Sequence, residues 1–170
     1  RTLVATLIPK DTICGHSVPT FTFVPSQEWE YLVWLAVANS FSADYLARTK
    51  VSLHMSLSTL DSLPFPRLKR DDPRTTFLVT RVARLACTGP EMVPFWNELA
   101  VQGWVPHHEN PASVPGEMNE DKRQELLAEI DAFVARDIFG LTVQELGYVL
   151  DTFPIVEKRD RKAFGSFRTK

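Results

Sequence analysis

The 170-residue chain has only two cysteines, Cys14 and Cys87, and neither stands at metal-ligand spacing from another thiol. That pattern excludes a disulfide framework and a zinc ribbon, and it fits two reduced thiols in a cytosolic protein. No apolar run approaches the roughly 20 residues that span a bilayer, and no stretch reads as a signal peptide, so a cytoplasmic setting is expected. Glycine is sparse, at 7 residues, and no Gly-x-Gly or P-loop pattern opens a helix. A nucleotide cradle of the usual kind is therefore absent from the pattern. An initiating Met is missing too: Arg1 runs directly into strand-like sequence, which suggests a piece of something longer.

What remains is an ordinary globular composition, 44% hydrophobic, long enough to bury a core. The net charge of −2 conceals segregation. Residues 67–90 carry six basic side chains against two acidic ones, and residues 91–156 carry three against twelve. Residues 157–170 return to six basic against two acidic. Two basic blocks around an acidic one make either a polyanion-binding face or a set of internal neutralisations.

The organising stretch is residues 26–66. Ser26 can cap a helix with Glu28 and Glu30 in its first turn, where the dipole favours acids. From Trp29 to Ala38 apolar residues fall on every side, which predicts a buried core helix. Asn39 and Ser40 break it, and Phe41, Tyr45 and Leu46 carry a second helix to about Arg48. Residues 51–57 alternate as a strand, with Ser58 capping one turn that Pro64 and Pro66 stop.

This order, Asn-Ser, aromatic-x-x-x-Tyr-Leu-x-Arg-x-Lys-Val, short strand, Leu-x-x-Leu-Pro-x-Pro, resembles the target-recognition region of bacterial N6-adenine DNA methyltransferases. Those are the large single-chain restriction–modification enzymes and their phage-defence relatives. The residues that carry the likeness are Asn39, Ser40, Tyr45, Leu46, Arg48, Lys50, Val51, Leu60, Leu63, Pro64 and Pro66. A second likeness covers residues 128–170, where Phe-Gly-Leu-Thr leads to Glu-Leu-x-Tyr-Val-Leu-Asp-x-Phe-Pro, as in the C-terminal tail of the same proteins.

The resemblance implies a fragment that positions double-stranded DNA for a methyltransferase domain of the same polypeptide. S-adenosylmethionine would belong to that domain, and the parent would methylate adenine with or without cleaving DNA. Phosphate contacts are then expected from Arg48, Lys50, Arg67, Lys69 and Arg70. Base contacts are expected from His16, Ser17, Ser52 and His54, whose polar groups sit on a loop and on one face of a strand. Without the resemblance, the same residues read as the solvated face of a strand and an exposed turn. An alternative of another class is a helical scaffold in a defence complex, with the acidic helices at 119–153 binding a protein partner.

The rest of the chain follows from local signals. Residues 2–8 (TLVATLI) read as a buried strand and 18–24 (VPTFTFV) as an edge strand near Pro19. Arg67 to Asp72 is a charged connector and the candidate boundary between a partial recognition domain, 1–66, and a helical subdomain, 67–170. Asp72, Pro73 and Gly89 frame a helix with Leu78, Val82, Leu85 and Ala86 inward and Arg74, Arg81 and Arg84 alongside. A shorter helix to Gln102, with Phe95, Trp96 and Leu99 inward, ends at Gly103. Residues 103–118 read as a surface loop or disordered segment. Asn119 caps a helix closed by Gly140, and Thr142 with Glu145 forms a capping box for the last helix. The basic end, anchored only by Phe164 and Phe167, is expected to be poorly ordered.

The predicted class is α+β: a small mixed sheet on a buried helix, then a mainly helical half. Catalytic chemistry is not evident. Adenine methylation needs Asn/Asp-Pro-Pro-aromatic to hold a flipped base, and Asn110-Pro-Ala-Ser113 lacks the second Pro and the aromatic. A nuclease would need Asp151, Asp160 and Lys162 brought together, and no strand pair between them does so. His107, His108 and Glu109 lack companion ligands at metal spacing.

Overall fold

The computed structural model describes every residue except Arg1, His16, Ser17, Pro19, Pro25, 52–54 and Pro111. Among the described residues eight α-helices follow in order: α1 (Glu28–Ala38), α2 (Phe41–Lys50), α3 (Leu57–Asp61), α4 (Pro73–Ala86), α5 (Val93–Val101), α6 (Glu120–Phe133), α7 (Val143–Asp151) and α8 (Pro154–Phe164). Helix makes up 57% of the protein, and no strand occurs among the described residues. The α+β expectation is therefore corrected to an all-helical architecture.

The reason lies in what a strand needs. Residues 2–8 have the alternation of one, with Leu3 buried and Val4 exposed. Their backbone, however, bonds to helix side chains and not to a neighbouring strand. Asp44 accepts from Thr2 and Leu3, and Asn39 pairs with Ala5. Residues 18–24 likewise pack by their rings, Phe21 on Trp34 and Phe23 on Tyr31. In the third predicted strand, Val51 closes α2 and Leu57 already begins α3. Strand propensity measures how side chains fit a pleated surface; it does not supply the partner.

The helices obey their local signals more closely. Ser40 ends the Asn39–Ser40 break and caps α2 by accepting from the Ala43 N–H. Asp72 and Pro73 start α4 as expected, and Thr142 with Glu145 forms both bonds of the capping box. Two starts differ. Gln27, not Ser26, occupies the cap position of α1, because Ser26 has φ +68° and its N–H donates to Glu28. Ser56, not Ser58, caps α3. The helix begun by Asn119 widens into a π-turn over Val134–Ile138 before Gly140, at φ +68°, closes it.

Helix α1 is buried around its circumference, as its sequence requires: Trp29, Leu32, Val33, Leu35, Ala36, Val37 and Ala38 are all covered. It lies against α4, whose Leu78, Val79, Val82 and Ala83 face it, with Trp96, Leu99, Ile130 and Val134 completing the main cluster. Removing one such leucine from water is worth about 2 kcal/mol. The cluster draws on residues from both sides of the 67–72 connector. A separate cluster joins Phe41 of α2 to Val149, Leu150 and Phe153 at the end of α7.

Two segments are better anchored than their composition suggests. The 103–118 connection is tied to α4, with Gly116 and Glu117 donating to the carbonyls of Cys87 and Arg84. Its other end is held by His108, which exchanges backbone bonds with the Asn97 carboxamide. The basic C-terminus continues as α8 and folds back. Thr169 donates its N–H and hydroxyl to the buried Asp160, and Lys170 pairs with Asp151. The 103–118 connection is irregular, as expected of a surface loop, and is held by these bonds; the loose-tail expectation is corrected.

Candidate functional site

The expected cations fall into three physical situations. The first is Arg48. Its guanidinium donates to the carbonyl and hydroxyl of Thr152, both at 2.8 Å, and lies 3.7 Å over the Phe153 ring. Its Nε stands 3.7 Å from Oδ2 of Asp44, a carboxylate with no exposed surface. Arg48 thus bridges α2 to the end of α7. Residues 26–66 and 128–170 meet at this seam. Phe41 packs edge-on against Phe153 at 4.8 Å, and Tyr45 against Tyr148. The Tyr148 hydroxyl, hydrogen-bonded to that of Tyr45, raises the Tyr45 phenol above its ordinary value.

The second situation is the basic stripe of α4. The Arg74 guanidinium meets Asp72 at 2.7 Å, and this bond, with the Arg74 N–H, holds the Asp72 carboxyl below its usual range. Arg81 meets Glu129 at 2.6 Å while stacking 3.6 Å over Phe77. Arg84 meets Glu117 at 2.6 Å, and Glu117 is depressed first by the Asn119 N–H and then by Arg84. The acidic block therefore neutralises Arg81 and Arg84 from α6 and the turn before it, while Arg74 is paired by Asp72 at the start of its own helix.

The third is the connector. Arg67 and Lys69 are exposed and make no ion pair among the described residues. Arg70 is exposed, donates to the Gln102 carbonyl and sits 4.9 Å over the Trp104 ring. The backbone beneath them is fixed. Thr75, with no exposed surface, donates its hydroxyl to the Lys69 carbonyl at 2.7 Å, and Asp72 caps the helix that follows. Three cations are thus presented within four residues by a pinned loop at the start of α4. Lys50 is spent more locally, donating to the Ser62 carbonyl and hydroxyl at the end of α3.

The base-reading candidates His16, Ser17, Ser52 and His54 lie outside the described residues. Sequence reasoning missed three supporting side chains: Asp44, Thr75 and Thr152. Asp44 had a signal, an acid in the middle of the otherwise apolar FSADYLA helix. Thr75 and Thr152 had none, because what a threonine hydroxyl bonds is specified by what the fold brings to it.

The residues here do not suit S-adenosylmethionine. The larger surface depression, about 360 Å³, lies between α4 and α6 and is lined by Arg81, Arg84, Lys122, Glu125 and Glu129. It offers ion pairs where the ligand needs an adenine-stacking wall and glycine backbone. A second depression of about 300 Å³, by Trp96, Trp104, Pro106 and Pro115, has aromatic walls but no carboxylate for a ribose. Asp151 and Asp160, weighed as nuclease acids, are engaged by Lys170 and Thr169. Among the described residues no helix is long and apolar enough to cross a membrane, and no three His, Cys, Asp or Glu side chains group as metal ligands. Comparison with protein-family models, with curated proteins and with solved structures yields no match.

Proposed function

We propose that this chain is the DNA-engaging, target-recognition part of a bacterial N6-adenine DNA methyltransferase, acting in the cytoplasm. In this reading the methyltransferase domain and its S-adenosylmethionine belong to another part of the polypeptide. The observation that carries the proposal is the connector, held on a fixed backbone. Arg67 and Lys69 are exposed and make no ion pair among the described residues, and Arg70 beside them is exposed and engaged only by the Gln102 carbonyl and the Trp104 ring. Cations so placed suit phosphate oxygens, which set register on a duplex without reading its sequence. The seam between the two family-like stretches supports the reading, because it gives both a common structural purpose.

Arg48 then serves by bracing the seam, and the phosphate contacts fall to the connector. The alternative, a protein-binding scaffold using the acidic helices at 119–153, loses support where Glu129 is already occupied by Arg81.

The test is fluorescence anisotropy with a random duplex across a salt series. Each phosphate contact adds about 0.9 to the slope of log affinity against log salt. Reversing Arg67, Lys69 and Arg70 together to Glu should reduce that slope by about 2 to 3, with the circular dichroism unchanged. A duplex affinity that the triple reversal leaves intact would sink the assignment of phosphate contacts to the connector. No binding at low salt would leave the scaffold as the better account.

A further inference from the structure

The irregular connection after α5 closes over an aromatic pocket. A connection of this length without helix or strand is usually functional, and this one is fastened at both ends. The Trp96 indole N–H donates to the Pro106 carbonyl at 2.8 Å. Gly116 and Glu117 donate to the Cys87 and Arg84 carbonyls at the end of α4. The chain passes so near α4 there that a Cβ on Gly116 would collide with the Cys87 carbonyl. These contacts set Trp96, Trp104, Pro106 and Pro115 around a space of about 300 Å³, with Thr80 and Arg84 of α4 completing its wall. That volume is at the small end for ligand pockets.

Three features select an occupant. Indole and proline walls are flat and apolar, which suits a planar ring. Trp96 is buried, so the half-buried Trp104 supplies the accessible indole surface. The one charged side chain in the lining among the described residues is Arg84, which spends Nη2 on Glu117; its other nitrogens make no hydrogen bond among the described residues. Next to the pocket stands the connector, whose Arg70 guanidinium lies 4.9 Å over the Trp104 ring, with exposed Lys69 and Arg67 in the same loop. A planar ring joined to phosphates answers all three, the ring meeting indole and the phosphates meeting cations. A proline-rich segment would fit the walls and leave the cations unanswered.

We propose that this pocket binds one unpaired nucleobase of DNA, lodged against Trp104, Pro106 and Pro115, with the adjoining phosphates on Arg70 and Lys69. The inference rests on the DNA-binding reading and adds to it a preference for DNA in which one base has left the stack.

The experiment is fluorescence anisotropy of the intact chain with three duplexes of one sequence: fully paired, with a single bulged thymine, and with the same bulge lacking its base. The thymine bulge should bind about tenfold tighter than either of the others. Trp104→Leu should bring that ratio to one and Trp104→Phe should keep most of it. Pro115→Asp, on the half-buried rim, should also abolish the ratio and decides the matter if Trp104→Leu fails to fold. A paired duplex bound as tightly as the thymine bulge overturns this inference and leaves the DNA-binding reading standing. An abasic bulge bound as tightly as the thymine bulge also overturns it, since the gain would then come from deformable DNA. Release of the bulged duplex by a proline-rich peptide would likewise overturn it and assign the walls to protein. Binding of the bulged duplex alone supports the inference against the duplex reading, and binding of none of the three overturns both.

Discussion

Arg48 on α2 and the connector cations at residues 67–70 lie on either side of α3, yet the fold uses them oppositely. Arg48 is consumed: two bonds to Thr152, a ring beneath it and a buried carboxylate beside it. Arg67 and Lys69 have no such partners, and what the fold supplies them is a rigid mount through Thr75. A cation's availability thus depends less on its own position than on whether a carboxylate, carbonyl or ring is brought to it. The stripe on α4 lies between the two: Arg81 and Arg84 are paired with acids from α6 and the turn before it, and Arg74 with Asp72.

The sharpest way to break the comparison is Arg48→Met. It keeps the aliphatic stem but removes two charge-assisted bonds and the cation beside buried Asp44. The expected loss is about 2 kcal/mol of stability, read by urea denaturation, with the m-value unchanged. Charge reversal at Arg67 and Lys69 should by contrast leave the denaturation midpoint nearly unmoved, because both are exposed and make no ion pair among the described residues.

A smaller effect is expected from Thr75→Val. The shape is kept, and the Lys69 carbonyl loses its buried donor, so stability should fall by about 1 kcal/mol. If the pinned backbone matters for DNA, duplex affinity should weaken as well, although no cation has been removed. Stability that falls with affinity unchanged would show that the mount is unnecessary.

The smallest effect concerns acid. Asp72, Glu117 and Glu145 are held below their ordinary values by hydrogen bonds at helix starts: from Arg74, from the Asn119 N–H, and from the Thr142 N–H. Because folding lowers these values, their contribution is present above the ordinary 3.8 of Asp and 4.5 of Glu. It is lost as pH falls through the lower folded values. Melting temperature should therefore drop on acidification below that range, and Glu145→Gln should flatten part of the drop.

Helix boundaries were the readable part of this protein. Ser40, Asp72 with Pro73, Asn119, and Thr142 with Glu145 act within one turn of chain, so each carries its own instruction. The uniform apolarity of residues 29–38 likewise announced a buried helix. The connector cations were readable as residues, though not as the ones left unpaired.

Only the tertiary structure decided the rest. A strand is a relation between two segments, and the alternation of residues 2–8 could not reveal that Asn39 and Asp44 would take the place of a neighbouring strand. Charge behaves in the same way. Arg48, Arg81 and Lys69 are equally basic in sequence, and the residues the fold brings to them, distant Thr152 and Glu129 and nearby Thr75, determine which one bridges, which one is neutralised and which one is displayed. Local hydrogen bonds are encoded locally; pairing and exposure are properties of the assembled fold.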